Sequence, residues 1–187
     1  MDTAGTRQRI LDAAVAEFAE YGFAGARVDR IASVARANKE RIYAYFGDKQ
    51  ELFRTAVRVA AAQANLLTSD LATELPRAAG DLFDAAISNP PVVRLLSWAR
   101  LEGSLQVGDD DLDEYRNKLG QIRAGQEAGV IDPGWEPADL LAIVRALAST
   151  WSSAPPGLRQ LAESTGPDVG GRRSVIEDAI RRLAAPQ

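Results

Sequence analysis

Residues 38–53 read NKERIYAYFGDKQELF. Tyr43, Tyr45 and Phe46 crowd into this one stretch, between Lys39 and Lys49, in a chain that is only 6% aromatic. Asn38 is a favoured N-cap, so a helix is expected over KERIYAYF. Asp48 and Glu51 then have the spacing of a capping box, which opens a longer helix running to about Leu67. At roughly 100° per residue, Ile42 and Phe46 share one face of the first helix. Glu40 and Ala44 lie opposite, flanked by Arg41 and Tyr43. Phe46 therefore reads as core. Tyr43 and Tyr45 flank it, with hydroxyls that can reach water or a phosphate. Lys39 sits at the helix start, and Lys49 in the first turn of the next helix, where free N–H groups favour an anion.

Upstream, TRQRILDAAVAEFAEYG sets Ile10, Leu11, Ala14, Val15, Phe18 and Tyr21 at helical spacing. Thr3 or Thr6 is a candidate cap, and Gly22 a candidate stop. VDRIASVA repeats the pattern with Val28, Ile31, Ala32 and Ala35. The interruption RAN separates it from the helix after Asn38. Two short helices joined by a three-residue turn and packed on a longer first helix make a helix-turn-helix.

Composition agrees with an all-α protein. Hydrophobic residues make up 46% and charged residues 26%, alanine and leucine dominate, and strand-forming runs are scarce. The sequence has neither cysteine nor histidine. Disulfides, thiol chemistry and thiolate metal sites are excluded, and the commonest general base is missing. An enzyme would have to rely on Asp/Glu or Tyr chemistry, for which no convincing pair is present. The N-terminal residues lack the apolar stretch of a signal peptide, and no run is long enough to span a membrane, so a cytoplasmic location is expected. The net charge of −4 is uneven: residues 1–58 carry ten basic and eight acidic side chains, and the rest of the chain is acidic. A basic patch on an acidic body is the footprint of a protein that meets nucleic acid at one end.

The motifs G22-F-A-G, V28-D-R-I-A and N38-K-x-x-I-Y-x-Y-F-x-x-K49-x-x-L-F together resemble the DNA-binding region of TetR-type transcriptional regulators, over roughly residues 7–54. The resemblance implies an all-helical homodimer. Residues 1–54 would form a three-helix DNA-binding domain, and residues 55–187 a helical domain for a small effector and for dimerisation. Tyr43, Tyr45 and Lys49 would hold the DNA backbone. Lys39, Glu40, Arg41 and Ala44 would lie at the major groove, and Arg27, Arg36 and Asn38 complete the expected contact set. Three positions depart from the family pattern. Arg27 stands where a threonine usually caps the second helix, at a cost of ~1 kcal/mol. Arg36 stands where glycine is usual in the turn, and Glu40 replaces a further glycine. Arg36 and Glu40 raise the alternative of a helical ligand- or partner-binding module that has lost DNA binding.

Further helices are expected over 76–88, 91–103 and 108–129, from Pro137 to Trp151, and from Ser174 to Ala184 with Ser174 and Glu177 as a capping box. Between the last two, APPG reads as a break. Asp109, Asp111 and Asp113 have calcium-loop spacing, but Glu114 and Gly120 stand where such a loop needs Gly and Glu, so a helix N-terminus is the better reading. No metal, cofactor or nucleotide motif is present. Candidate effector contacts are Phe83, Arg94, Leu95, Trp98, Leu101, Glu102, Tyr115 and Trp151, which offer apolar surface with a few polar groups. By position in the family, the dimer surface would be built from Leu140, Leu141, Val144, Leu147, Val175, Ile176, Ile180 and Leu183. A two-fold dimer would present two recognition helices about one DNA turn (~34 Å) apart, to a near-palindromic operator.

Overall fold

The computed structural model describes residues 3–64, 69–104 and 108–186, and every regular element among them is helical. In chain order these are α1 (Thr3–Gly25), α2 (Val28–Ala35), α3 (Lys39–Phe46), α4 (Lys49–Ala64), α5 (Leu75–Ser88) and α6 (Pro90–Leu101). They are followed by α7 (Asp109–Glu127), α8 (Pro137–Ala148), α9 (Thr150–Ser153), α10 (Pro156–Thr165) and α11 (Val169–Ala184). Packing sorts the chain into two units, residues 1–65 with 89–106, and residues 66–88 with 107–187.

The first unit holds α1 to α4 and α6. Ile10, Leu11, Ala14 and Phe18 of α1 are buried with Val28, Ile31 and Ala35 of α2 and Ile42 and Phe46 of α3. Leu52, Phe53, Ala56, Val57 and Ala60 of α4 and Val92, Leu95 and Ala99 of α6 complete this cluster. The apolar stripe of α4 is thus buried without a break across residue 54, and packing divides the chain elsewhere than at 54/55. The end expected for α4 near Leu67 lies outside the described residues, as does any side-chain cap from Thr3. Tyr21 leaves the stripe predicted for α1: it is 48% exposed and lies under the Arg30 guanidinium, 4.1 Å from the ring centre. Gly22 interrupts the helix as its place as a candidate stop implies: its φ of 64° and ψ of 179° are non-helical, and residues 23–25 continue α1 only beyond this kink. This backbone conformation is essentially reserved for glycine.

The second unit holds α5 and α7 to α11. Its core joins Leu71, Leu75, Ala79 and Phe83, Ile122 and Ile131, Leu140, Leu141 and Val144, and Ile176 and Ile180. Three elements differ from the sequence reading. The helix expected from Pro137 to Trp151 is divided at Ser149 into α8 and α9. α10 begins inside APPG, expected to be a break, because Pro156 takes the first helical position, where its missing N–H costs nothing. Its Leu158 and Leu161 are 52% and 67% exposed although, with Ala162, they keep helical spacing. α11 begins at Val169 and is capped by Asp168, whose carboxylate accepts from the Gly171 N–H at 2.8 Å. Ser174 is already inside the helix, its hydroxyl donating to the Gly170 carbonyl. Adjacent Gly170 and Gly171 disguise this start, since glycine is a poor helix former.

Gly125 lies inside α7, where helix propensity alone favours alanine by ~1 kcal/mol. A Cβ there would come within 2.6 Å of the Ala72 carbonyl oxygen and 2.7 Å of Ile131 Cδ1. Backbone cannot step aside as a side-chain end can, so Gly125→Ala is expected to destabilise the second unit by roughly 1–3 kcal/mol. Urea unfolding followed by circular dichroism measures it; a stabilised variant would show that α7 can shift freely.

Candidate nucleic-acid interface

α2 and α3 are held by polar contacts at each end. The Asn38 side chain accepts from the Arg41 N–H at 2.9 Å, the expected N-cap of α3. The Asp48 carboxylate accepts from the Glu51 N–H at 2.8 Å and opens α4, while the Asp48 N–H itself donates to the Phe46 carbonyl. Arg27 makes no side-chain cap for α2. Its backbone N–H instead donates to Glu17 of α1 at 2.8 Å, and Arg30 Nε donates to the same carboxylate oxygen. The hydrogen bond to Glu17 lifts the Arg30 pKa further above its ordinary value. A carboxylate at the N-terminus of α2 also suits the helix dipole. Glu17 therefore satisfies the N–H of the N-cap residue itself from another helix, while the first N–H groups of α2 gain no side-chain cap from Arg27.

The turn between α2 and α3 shows what Arg36 does there. It adopts the left-handed conformation, φ 52° and ψ 45°, and is the one non-glycine residue with positive φ among those described. The cost is about 1–2 kcal/mol. In this conformation its N–H donates to the Ser33 carbonyl, and the Ala37 N–H to that of Ala32, closing the end of α2. Arg9 of α1 adds a bond from Nε to the Ala35 carbonyl. The glycine position has been kept in shape and given a cation.

Side chains of Arg27, Arg36, Asn38, Glu40, Arg41, Tyr43 and Ala44 are exposed, while Ile42 and Phe46 are buried. This is the division expected from the helical wheel. Tyr45 is half-buried, edge-on to Phe46 with ring centres 6.2 Å apart. Lys49 is also half-buried, its Nζ 4.8 Å from the centre of the Phe23 ring. Lys39 pairs with Asp29 at 3.0 Å, and that hydrogen bond raises its pKa above the ordinary lysine value. One of the three ammonium N–H groups of Lys39 is engaged by Asp29, which leaves two donors on a part-exposed cation. Lys39, Arg41 and Lys49 offer charge, and Ala44 leaves room for close approach to a groove floor.

The eight candidate effector contacts are not gathered in one apolar cluster. Leu95 is fully buried in the core of the first unit and Phe83 in that of the second, each spent on packing. Within the first unit, Trp98 lies against Gly22, Arg94 pairs with Glu20 at 2.6 Å, and Leu101 and Glu102 are exposed at the end of α6. Phe83, Tyr115 and Trp151 do share a cluster, the latter two half-buried on its margin.

The candidate dimer residues are also divided in their burial within the chain. Leu140, Leu141, Val144, Ile176 and Ile180 are buried in the chain's own core, because the apolar stripes of α8 and α11 face α5. Leu147 and Leu183 are half-buried, and Val175 is 61% exposed. Helical spacing identifies an apolar face but does not say whether its partner is the same chain or a second copy.

Comparison with known proteins covers both units. Residues 10–56 match the model for bacterial regulatory proteins of the tetR family, and residues 74–182 that for the tetracyclin repressor-like C-terminal domain. The HTH-type transcriptional repressor SCO4008 of Streptomyces coelicolor is 38% identical, over 97% of this chain and 96% of its own length. The HTH-type transcriptional repressor NicS of Pseudomonas putida is 30% identical, over 68% of this chain and 60% of its own. The crystal structure of putative transcriptional regulator SCO4942 from Streptomyces coelicolor is similar at 39% identity and a TM-score of 0.85, covering 96% of this chain and 98% of that one.

Proposed function

From the premise that the chain belongs to the TetR family and is a helix-turn-helix, DNA-binding transcriptional regulator, we propose that it is a ligand-responsive repressor acting as a homodimer. It works in the cytoplasm on a near-palindromic operator. DNA contact falls to residues 1–54, and effector binding and dimerisation to the part that follows. A small molecule in the second unit favours a dimer whose two reading helices no longer match the operator, so binding and release are coupled through differential affinity. The observation that carries this reading is the outer face of α3. A capped, rigid helix presents Lys39, Arg41, Tyr43 and Ala44 outward, and Lys49 stands at the start of α4. The two relatives named as repressors support the sign of regulation.

In this reading Arg41 meets base edges and Lys49 meets phosphate. Arg41→Ala costs about 1–3 kcal/mol of operator affinity and relaxes sequence preference at one position of each half-site. Lys49→Ala weakens all sequences alike and lowers the salt slope by about one phosphate contact. The test is selection of genomic fragments by the purified protein at two salt concentrations, then footprinting and titration of both variants. A near-palindromic footprint with these two signatures is the expected result. Wild-type affinity in both variants would remove the assigned face. Absence of any enriched fragment, with a small molecule still retained, would favour the ligand-binding module that the exposed Glu40 carboxylate on this face suggests.

A further inference from the structure

Glu40 puts an acid where a surface that meets DNA is expected to be basic. In α3, Ile42 and Phe46 are buried, and at roughly 100° per residue the side directly opposite carries Glu40 and Ala44, both exposed. Arg41 and Tyr43 flank them, one on each side, and are exposed as well. Glu40 thus stands at the centre of the outward face and in the first turn of the helix. The N-terminal turn is where a reading helix meets base edges. Ala44, one turn further on, is too short to hold the helix away from a groove floor, so the carboxylate reaches that floor first.

No other task occupies this side chain. Among the described residues, no hydrogen bond or ion pair engages it. The adjacent ammonium group of Lys39 pairs with Asp29, and Glu40 acts on it only through space. The first turn of α3 already has its side-chain cap in Asn38. An acid suits the helix dipole anywhere in the first turn, so the dipole does not account for an acid at the outward position.

A carboxylate accepts hydrogen bonds and has none to donate. In the major groove it is repelled by O6 and N7 of guanine and by O4 of thymine, which are acceptors too. An exocyclic amino group satisfies it, on cytosine N4 or adenine N6. Adenine sets the acceptor N7 beside N6, whereas N4 is all that cytosine presents for hydrogen bonding on this edge. Resting on the reading of α3 as the helix that enters the groove, we infer that Glu40 is a specificity-determining residue, which accepts from N4 of a cytosine at one position of each half-site. The same charge that weakens binding to other sequences becomes a preference for this base.

The test uses the full-length protein to select duplexes from random double-stranded DNA at low and physiological salt, with wild type, Glu40→Gln, Glu40→Ala and Arg41→Ala in parallel. Titration of single matched duplexes then reads affinity. Wild type is expected to enrich cytosine at one position of each half-site, and to bind it about tenfold more tightly than guanine or thymine there. Glu40→Gln moves the preference at that position to adenine, because an amide accepts from N6 and donates to N7. Glu40→Ala leaves the position without preference, and binds duplexes lacking the cytosine more tightly than wild type does. Arg41→Ala changes a different position. A role confined to the dipole of α3 would alter thermal unfolding, followed by circular dichroism, and leave every base preference as it is. The inference is overturned if the wild-type position selects adenine, or if the cytosine preference survives in Glu40→Ala or is undiminished in Glu40→Gln. Enrichment that depends on Arg41 and not on Glu40 removes this inference alone. No enrichment by wild type or any variant removes the reading of α3 as the helix in the groove, and this inference with it.

Discussion

Phe18→Ala is expected to lower the stability of the first unit by about 3–5 kcal/mol, the range for deleting a fully buried aromatic ring. Phe18 has no exposed surface and packs edge-on to Phe53, with ring centres 5.0 Å apart. It also stacks with Phe23 at 6.4 Å, and Phe23 in turn meets Phe53 at 5.3 Å. The three rings tie α1 to α4, so removal leaves a cavity and two aromatic contacts unmade, each worth about 0.5–1.5 kcal/mol. Function follows from packing here, because the ring that Lys49 lies over is Phe23. A loosened Phe23 lets Lys49 move from the start of α4. Urea unfolding measures the stability loss, and operator titration at low temperature, where the variant is still folded, measures whether the phosphate contact proposed for Lys49 is weakened. A loss below 1 kcal/mol would mean that the cluster collapses to fill the space.

How much of this could be read from the sequence depends on the range of each contact. Asn38, Asp48 and the wheel of α3 act within one or two turns, and their positions in the structure agree with local spacing. The fold class follows in the same way, from apolar stripes of helical period. Glu17 is different. It serves α2 from α1, ten residues before the N–H it accepts from, and nothing about its own neighbours announces that task. α10 was hidden by the two prolines of APPG, which read as a break, although Leu158, Leu161 and Ala162 keep helical spacing. The stripes of α8 and α11 were visible, but their partners were not. An apolar face is a property of one helix, whereas its occupant depends on where α5 lies. Arg36 falls between these cases. That its position favours glycine comes from the family resemblance and not from local spacing, and its φ of 52° is the left-handed conformation that this preference implies.

Arg173→Met is expected to destabilise the second unit by about 3 kcal/mol, because it strands three carboxylates rather than breaking one pair. Arg173 Nη2 bonds Asp81 at 2.8 Å, Nε pairs with Glu177 at 2.9 Å, and Nη1 reaches Asp84. Gly80 leaves the room: a Cβ there would collide with the Glu177 carboxylate and the Arg173 guanidinium. The cluster joins α5 to α11, so it sits at the packing that the apolar residues Ala79, Phe83, Ile176 and Ile180 share. The Arg173 side chain is 25% exposed, which keeps the figure at the low end of the range for fully buried pairs. Acid should act in the same direction. Burial pushes the Asp81 carboxyl up, but hydrogen bonds from Arg173 and Ser69 and the charges of Arg173 and Arg77 outweigh it, and the pKa is lowered from 3.8. A depressed folded-state pKa contributes stability that is present above the unfolded value and is lost as pH falls through the folded one. Wild-type protein should therefore lose stability on acidification below about pH 4 through this cluster. In Arg173→Met the carboxylates repel one another, so protonation relieves strain and the difference from wild type narrows as pH falls. Denaturation curves at neutral pH and near pH 3 measure both effects. A constant difference across that range would show that methionine packing, and not the stranded charge, sets the loss.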